Sequence, residues 1–207
     1  MEAEFFVLQD DPVLGFRPLS DRKNLDKPAY DISRMLDNMG WMDELVQAMN
    51  TLGWDVYSFD HEDGVGQFEI DFRYFDALSM ADRFVFFRFM ANEIARKHGG
   101  FATFMPKPYA DRAGSGAHFN MSLADKASGR NLFADANDAR GCGLSTLGYQ
   151  FIAGVLKHLP AICAVVAPTV NSYERLILRG AMQSCFTLSP VWCCYGNNNR
   201  TNTLRIP

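Results

Sequence analysis

The 207-residue sequence contains few cysteines, and no two of them form a C-x-x-C pair. Five cysteines cannot all pair within one chain, and a zinc knuckle needs closely spaced cysteine pairs. A disulfide framework and a structural zinc site are therefore not indicated, and we expect reduced, mostly buried thiols. The cysteines lie at positions 142, 163, 185, 193 and 194.

Three further absences limit the class of protein. The chain carries a formal net charge of -4 and scattered lysines and arginines, so it lacks the basic stripe that binds nucleic acid. Its longest apolar runs, such as Ile162 to Pro168, fall far short of the roughly 20 residues that span a bilayer. It has no internal repeat or low-complexity tract. We expect a cytoplasmic protein with neither a nucleic acid nor a membrane as partner.

What the sequence does contain is 48% hydrophobic residues, enough to bury a sizeable core. Helical and strand-like segments mix without a strict βαβ alternation, which predicts an α+β domain with an antiparallel sheet and packed helices. We expect one domain over residues 1–207. Ser79 and Asp82 predict a capping box at the start of a helix. The other predicted helices cover residues 31–49, 143–158 and 170–178, and the predicted strands cover 2–8, 54–59, 66–72, 101–104, 117–123, 191–195 and 203–206.

Both ends of the sequence resemble the interior of a sheet. EAEFFVL begins as a strand in mid-course, and TLRIP stops without a terminal helix or polar tail. An unpaired sheet edge is a liability for a natural domain. We therefore expect a partial chain, truncated at both ends.

Four glutamates lie on or next to neighbouring predicted strands. Glu2 and Glu4 are two residues apart, so both carboxylates leave the strand from one face. A solvated edge would explain that pair alone, but a hairpin around residues 64–66 would let Glu62 and Glu69 converge as well. Such an oxygen-rich group suits magnesium or manganese.

His118 ends the segment RAGSGAH, whose last two residues begin the strand predicted over 117–123. A lone histidine is more often a satisfied core or surface residue, yet on the same sheet as the glutamates it would add one nitrogen ligand. The segment is not a phosphate-binding P-loop, and its glycines would let the backbone approach a small ligand closely.

Three arginines form a further group, namely Arg175, Arg200 and Arg205. Guanidinium groups clamp carboxylates and phosphates in bidentate fashion. Ordinary surface salt bridges would also explain them. Together with two metal ions, they would make a pocket for an anionic substrate and a transferring phosphoryl group.

These motifs together resemble the catalytic domain of the glutamine synthetases. They occur in family order across nearly the whole chain. They are E-x-E-F at residues 2–5, HEDGVGQFE at 61–69, ATFMPKP at 102–108, GSGAH at 114–118, NSYERL at 171–176, and NR followed by RIP at the end.

The resemblance implies a two-metal ligase that phosphorylates the γ-carboxylate of glutamate with ATP and lets an amine displace the phosphate. It implies two Mg²⁺ or Mn²⁺ ions per site and a double-ringed homo-oligomer. By position in the motifs, one metal ion would bind Glu4, Glu62 and Glu69, and the other would bind Glu2 and His118.

The resemblance also implies roles for the remaining motif residues. Glutamate would bind to Gly114 and Arg175, and the nucleotide would bind to Asn120 and Ser122. The catalytic residues that stabilise the phosphoryl group would be Arg200 and Arg205.

The sequence departs from the family pattern at two positions. Asn120 replaces a second histidine that many bacterial members carry two residues after the metal ligand. Ala181 stands where the family places a glutamate that covers the site and helps to deprotonate ammonium, and no Asp or Glu follows Glu174. A methylamine site also needs apolar room, which Ala181, Met182 and Phe186 could offer.

The sequence around these motifs is most similar to the branch of the family that makes γ-glutamylmethylamide, so we expect glutamate–methylamine ligase activity. An ammonia-using glutamine synthetase, a relative acting on larger amines, and a non-catalytic member of the family stay open as alternatives. A metal-dependent hydrolase would not explain the arginines. Family members carry a β-rich domain before E-x-E and a glutamate and an arginine soon after RIP, so we expect this chain alone to be inactive.

Overall fold

The structure, a computed structural model, describes residues 1–20, 29–176, 192–198 and 202–207. The chain divides into two compact units, Met1–Phe119 and Asn120–Pro207. The expected single domain over residues 1–207 stays a prediction.

Six strands of the first unit form one sheet in which every pairing is antiparallel, as predicted. β1 pairs with four of the other strands, and β3 pairs with β4. The strands are β1 (Glu2–Asp11), β2 (Gly15–Pro18), β3 (Val56–His61), β4 (Gln67–Phe72), β5 (Phe101–Thr103) and β6 (Ala117–His118).

The strand predicted over residues 117–123 is wrong beyond His118. β6 pairs antiparallel with the start of β1, where His118 faces Glu2 and Ala117 faces Ala3. Residues 119–123 continue without strand structure.

Two helices of this unit are α1 (Ile32–Thr51) and α2 (Ala77–Lys97). The predicted capping box of Ser79 and Asp82 is wrong. Asp76 is the N-cap of α2, and its side chain accepts a hydrogen bond of 3.0 Å from the Ser79 backbone N–H. Ser79 therefore lies inside the first turn, where its N–H is one of the donors that a cap must satisfy.

The core of the first unit lies between the sheet and the two helices. Trp41 of α1 packs edge-on against Phe68 of β4 with ring centroids 4.9 Å apart, and Phe5 of β1 packs against Phe87 of α2 at 5.7 Å. Strand alternation sends these residues to the helix-covered face and their sequence neighbours to the opposite face. The core-facing strand residues include Ala3, Phe5, Val7, Phe68, Ile70 and Phe72.

The second unit contains α3 (Thr146–Val166), α4 (Val170–Leu176), and the strands β7 (Trp192–Asn197) and β8 (Asn202–Ile206), which pair in parallel. The predicted helix over residues 143–158 begins later and ends later than expected. Ser145 is the N-cap and accepts a hydrogen bond of 3.2 Å from the Gly148 backbone N–H. The helix then continues through Pro160 to Val166.

Among the residues that the structure describes, α3 is the one helix long and apolar enough to cross a membrane by length and composition. The run from Ile162 onward is thus part of a longer apolar helix. This is weak evidence for a membrane span, because core helices of soluble proteins pass the same test.

Candidate functional site

The face of the sheet opposite the helices is acidic. In the register of β1 and β4, Glu2 lies opposite Asp71 and Glu4 lies opposite Glu69. In the register of β3 and β4, Asp60 lies opposite Glu69. Directly opposite residues of an antiparallel pair point to the same face. Three neighbouring strands therefore bring five carboxylates to one surface.

Glu62 reaches this surface from the tight hairpin that joins β3 and β4, as the sequence predicted. Its backbone N–H donates to the Gln67 carbonyl at 2.8 Å, and the Gln67 N–H donates to the Gly64 carbonyl at 2.8 Å. The buried His61 ring lies 2.8 Å from the Glu62 carbonyl through Nδ1, and its Nε2 lies 3.4 Å from the Gly66 N–H. These bonds fix the turn and hence the direction of the Glu62 side chain.

Glu2, Glu69 and His118 form a group of possible metal ligands. One ligand atom from each lies within 4.8 Å of the other two. His118 Nδ1 is 3.1 Å from Glu2 Oε2. His118 faces Glu2 across the β1–β6 ladder, so the short strand β6 positions the imidazole. A single cation could therefore be reached by two carboxylates and one imidazole.

The carboxylates of this face are difficult to ionise together. Burial, followed by the charge of Glu4, raises the pKa of Glu69 to about 8 and the pKa of Glu62 to about 7. Burial and the charge of Glu2 raise the pKa of Asp71 to about 6. A divalent cation would relieve this repulsion, and clustered carboxylates with one imidazole suit Mg²⁺ or Mn²⁺. The residues present therefore fit the metal ions that the resemblance implies.

The GSGAH segment is anchored directly to β1. The backbone N–H of Glu4 donates to the Gly116 carbonyl at 3.0 Å, and the Gly116 N–H donates back to Glu4 Oε2 at 2.8 Å. The buried amide of Gln67 bridges Glu4 Oε2 and the Gly114 carbonyl, with 3.2 Å to each. Gly114 therefore lies beside the acidic face, together with all five predicted metal ligands in the first unit.

The remaining predicted site residues lie elsewhere in the chain. Asn120, Ser122 and Arg205 belong to the second unit, as does Arg175 in the last turn of α4. Their grouping with the acidic residues in one site stays a prediction. The residues of the predicted catalytic and amine sites that lie outside the described part of the chain are Arg200, Ala181, Met182 and Phe186.

Three residues of the acidic face were missed at the sequence level, namely Asp60, Gln67 and Asp71. Gln67 and Asp71 lie two positions from Glu69 on β4, so strand alternation places these three β4 residues on one face. The signal was present in the motif GQFEID, where every second residue is polar.

The fold and the site define an α+β domain whose antiparallel sheet has one helix-covered face and one carboxylate-rich face. A family profile described as the catalytic domain of glutamine synthetase matches residues 1–207. The chain belongs to the glutamine synthetase family.

Curated relatives match over the whole of this chain. A glutamate–methylamine ligase of Methyloversatilis universalis is 42% identical over 208 aligned residues, which cover 100% of this chain and 46% of the relative. A glutamine synthetase of Rhizobium meliloti is 41% identical over 207 residues, with the same coverage. The chain thus spans about half the length of these relatives. Because their identities are nearly equal, identity alone does not separate the two activities.

Solved structures confirm the fold class. A structure described as a GmaS/ADP complex superposes with a TM-score of 0.85 at 38% identity, covering 100% of this chain and 47% of that one. A cryo-EM structure of Plasmodium falciparum glutamine synthetase gives a TM-score of 0.76 at 25% identity over 99% of this chain and 43% of that one. The chain has the fold of the glutamine synthetase catalytic domain.

Proposed function

We propose that the whole protein carrying this chain ligates methylamine to the γ-carboxylate of L-glutamate with ATP, through a γ-glutamyl phosphate. The observation that carries the proposal is the acidic face, where Glu2, Glu69 and His118 converge and the pKa values of Glu62 and Glu69 are raised. Phosphoryl transfer depends mostly on positioning and charge neutralisation, and such a face provides a place for the required cations.

In this proposal the protein groups have separate tasks. Glu4, Glu62 and Glu69 would hold one divalent cation, and Glu2 with His118 the other. When bound, the cations would neutralise charge on the transferring phosphoryl group. The tasks of the remaining residues are to bind glutamate through Gly114 and Arg175, to bind the nucleotide through Asn120 and Ser122, and to stabilise phosphoryl charge through Arg200 and Arg205.

The choice of methylamine over ammonium depends on the amine side of the reaction. An ammonium site needs an anionic group to hold and deprotonate a small cation. No Asp or Glu follows Glu174, and Ala181 occupies the position where the family has its glutamate. The identity to a named glutamate–methylamine ligase agrees with this choice. The competing candidate is an ammonia-using enzyme, which the 41% identical glutamine synthetase supports.

The test is an amine panel on the whole protein with ATP, Mg²⁺ and glutamate. We expect kcat/KM for methylamine to exceed that for ammonium by about tenfold or more, because one correctly filled apolar contact is worth that much. A preference for ammonium would overturn the methylamine assignment. Absence of turnover with every amine would instead favour a non-catalytic member of the family.

A matched variant tests the physical reason for the preference. Ala181→Glu restores an acid at the family position, and we expect it to shift the preference toward ammonium. Ala181→Leu changes the size of the side chain without adding charge and serves as its control. If both variants shift the preference equally, charge at position 181 does not set amine choice.

The assembly and location of the whole protein are proposals of the same kind. We propose a cytoplasmic double-ringed homo-oligomer, as the family resemblance implies. Sedimentation of the whole protein would test the assembly, and a monomeric species at assay concentration would contradict it.

A further inference from the structure

We propose that Gln67 is a positioning residue that couples one proposed metal site to the proposed glutamate site. The inference deepens the proposed function and rests on it. Gln67 opens β4, two residues before Glu69 on the same face, and its side chain is 1% exposed.

The amide of Gln67 joins three separate segments of the first unit. Its Nε2 donates to Glu4 Oε2 on β1 and to the Gly114 carbonyl, at 3.2 Å each. Its Oε1 accepts from the Gly64 N–H in the hairpin at 3.0 Å. A buried amide needs partners for both ends, and this orientation is fixed because the reversed amide would place oxygen against two oxygens.

The bridge determines which oxygen of Glu4 is available to a cation. Oε2 already accepts from Gln67 Nε2 and from the Gly116 N–H. With Oε2 held by two N–H donors, the carboxylate is fixed in rotation, and in this proposal Oε1 is the oxygen that binds the cation. Hydrogen bonds of this kind orient metal ligands and tune their affinity.

The same amide donates to the carbonyl of Gly114, so the proposed metal site and the proposed glutamate site share one hydrogen-bonding residue. A change in the position of Glu4 would be transmitted to Gly114, and a change at Gly114 would be transmitted to Glu4. The hairpin leaves no space for adjustment, because a Cβ added at Gly64 would lie 2.8 Å from Gln67 Oε1 and 2.7 Å from the Phe6 ring. Gln67 is therefore confined to this geometry.

The experiment compares Gln67→Met with Gln47→Met in the whole protein. Gln67→Met keeps a buried side chain of similar length and removes the amide. Gln47 lies on the exposed surface of α1, where its Nε2 donates to Asp43 at 2.7 Å, so the control removes the same kind of bond away from the site. The readouts are the Kd for Mn²⁺ by titration calorimetry, the KM for glutamate, the KM for ATP, kcat, and the Tm without metal.

We expect Gln67→Met to weaken Mn²⁺ binding and raise the KM for glutamate by about tenfold each, with the KM for ATP changed by less than about twofold. Gln47→Met should change none of these values by more than about twofold. Wild-type Mn²⁺ affinity and glutamate KM in Gln67→Met would overturn the proposal. A fall in Tm with activity lost in proportion to unfolded protein would also overturn it, since that is a purely structural role.

If Gln67→Met fails to fold, Gln67→Glu keeps the side-chain shape and the acceptor for Gly64 while removing the amide donors. Mn²⁺ affinity equal to wild type in this variant would overturn the proposal. The Mn²⁺ titration also separates the two hypotheses. If the wild-type protein ligates no amine but Gln67→Met still weakens Mn²⁺ binding about tenfold, the proposed function fails and the role of Gln67 toward Glu4 stands.

Discussion

The two faces of the first sheet are built from the same strands but differ in what they contribute to the molecule. Phe68 and Glu69 are neighbours on β4. Phe68 is fully buried against Trp41, with ring centroids 4.9 Å apart. Glu69 points the other way, where burial and the charges of neighbouring carboxylates raise its pKa to about 8. The helix-covered face stabilises the fold, and the acidic face carries negative charge that the fold alone does not neutralise.

The difference between the two faces shows which part of the fold stabilises the acidic site. The helix-covered face gains free energy by removing apolar area from water, a contribution that depends little on pH. The acidic face costs free energy whenever its carboxylates ionise without a cation. The rigid aromatic core therefore holds together a set of like charges that would otherwise move apart, and this is how functional sites commonly trade stability for activity.

The largest effect should come from the core face. In the 207-residue chain, Phe68→Ala should lower the free energy of unfolding by about 3–5 kcal/mol, because it leaves a cavity among packed rings. Urea denaturation with and without Mg²⁺ measures it, and the loss should be the same in both. The control is Phe151→Ala on α3, a side chain that is 38% exposed and for which we expect about 1 kcal/mol or less. Equal losses at the two positions would contradict the distinction between core and surface.

A smaller effect, of about 1–2 kcal/mol, should come from the acidic face and depend on pH. The folded pKa values of Glu62 and Glu69, about 7 and about 8, lie above the ordinary value of 4.5. Between the ordinary pKa and the folded pKa values, the metal-free folded state binds more protons than the unfolded state. The free energy of unfolding should therefore be highest near pH 4.5 and fall as the pH rises toward about 8. The fall is less than the full shifts imply, because water reaches both carboxylates.

Glu69→Gln sharpens this test at the position next to Phe68. The variant should flatten the fall of stability with pH in the metal-free chain, since it removes one of the repelling charges. Saturating Mn²⁺ should flatten it in the wild-type chain through binding to the folded state. Stability that rises with pH across this window in the metal-free wild type would show that the carboxylates do not repel one another as described.

Much of the sheet could be predicted from the sequence, because its faces differ so clearly in polarity. The alternation in EAEFF and QFEIDF separates the core residues from the acidic ones, and the structure confirms both strands and the hairpin of β3 and β4. The strand predicted to continue beyond His118 could not be excluded in the same way. Its length is a property of its pairing with β1 rather than of the segment itself.

The acidic site was also partly visible in the sequence. Glu2, Glu4 and Glu69 follow from strand alternation, and Glu62 follows from the hairpin. The position of Gln67 in the site could not be predicted from its own neighbours, because its three bonding partners lie on β1, in the hairpin and in the GSGAH segment. Those contacts span up to 63 residues of sequence and exist only once the sheet has formed.

The smallest effect concerns the start of α2, the helix that covers the core face. Asp76→Ala should lower the midpoint of thermal unfolding by about a few degrees, because the Ser79 N–H loses its 3.0 Å acceptor at the helix N-cap. Asp82→Ala, at the position of the discarded capping box, should leave the midpoint nearly unchanged. Both results should be independent of Mn²⁺, since the cap lies on the helix side of the sheet. A larger loss for Asp82→Ala than for Asp76→Ala would restore the capping box and move the start of α2 toward Ser79.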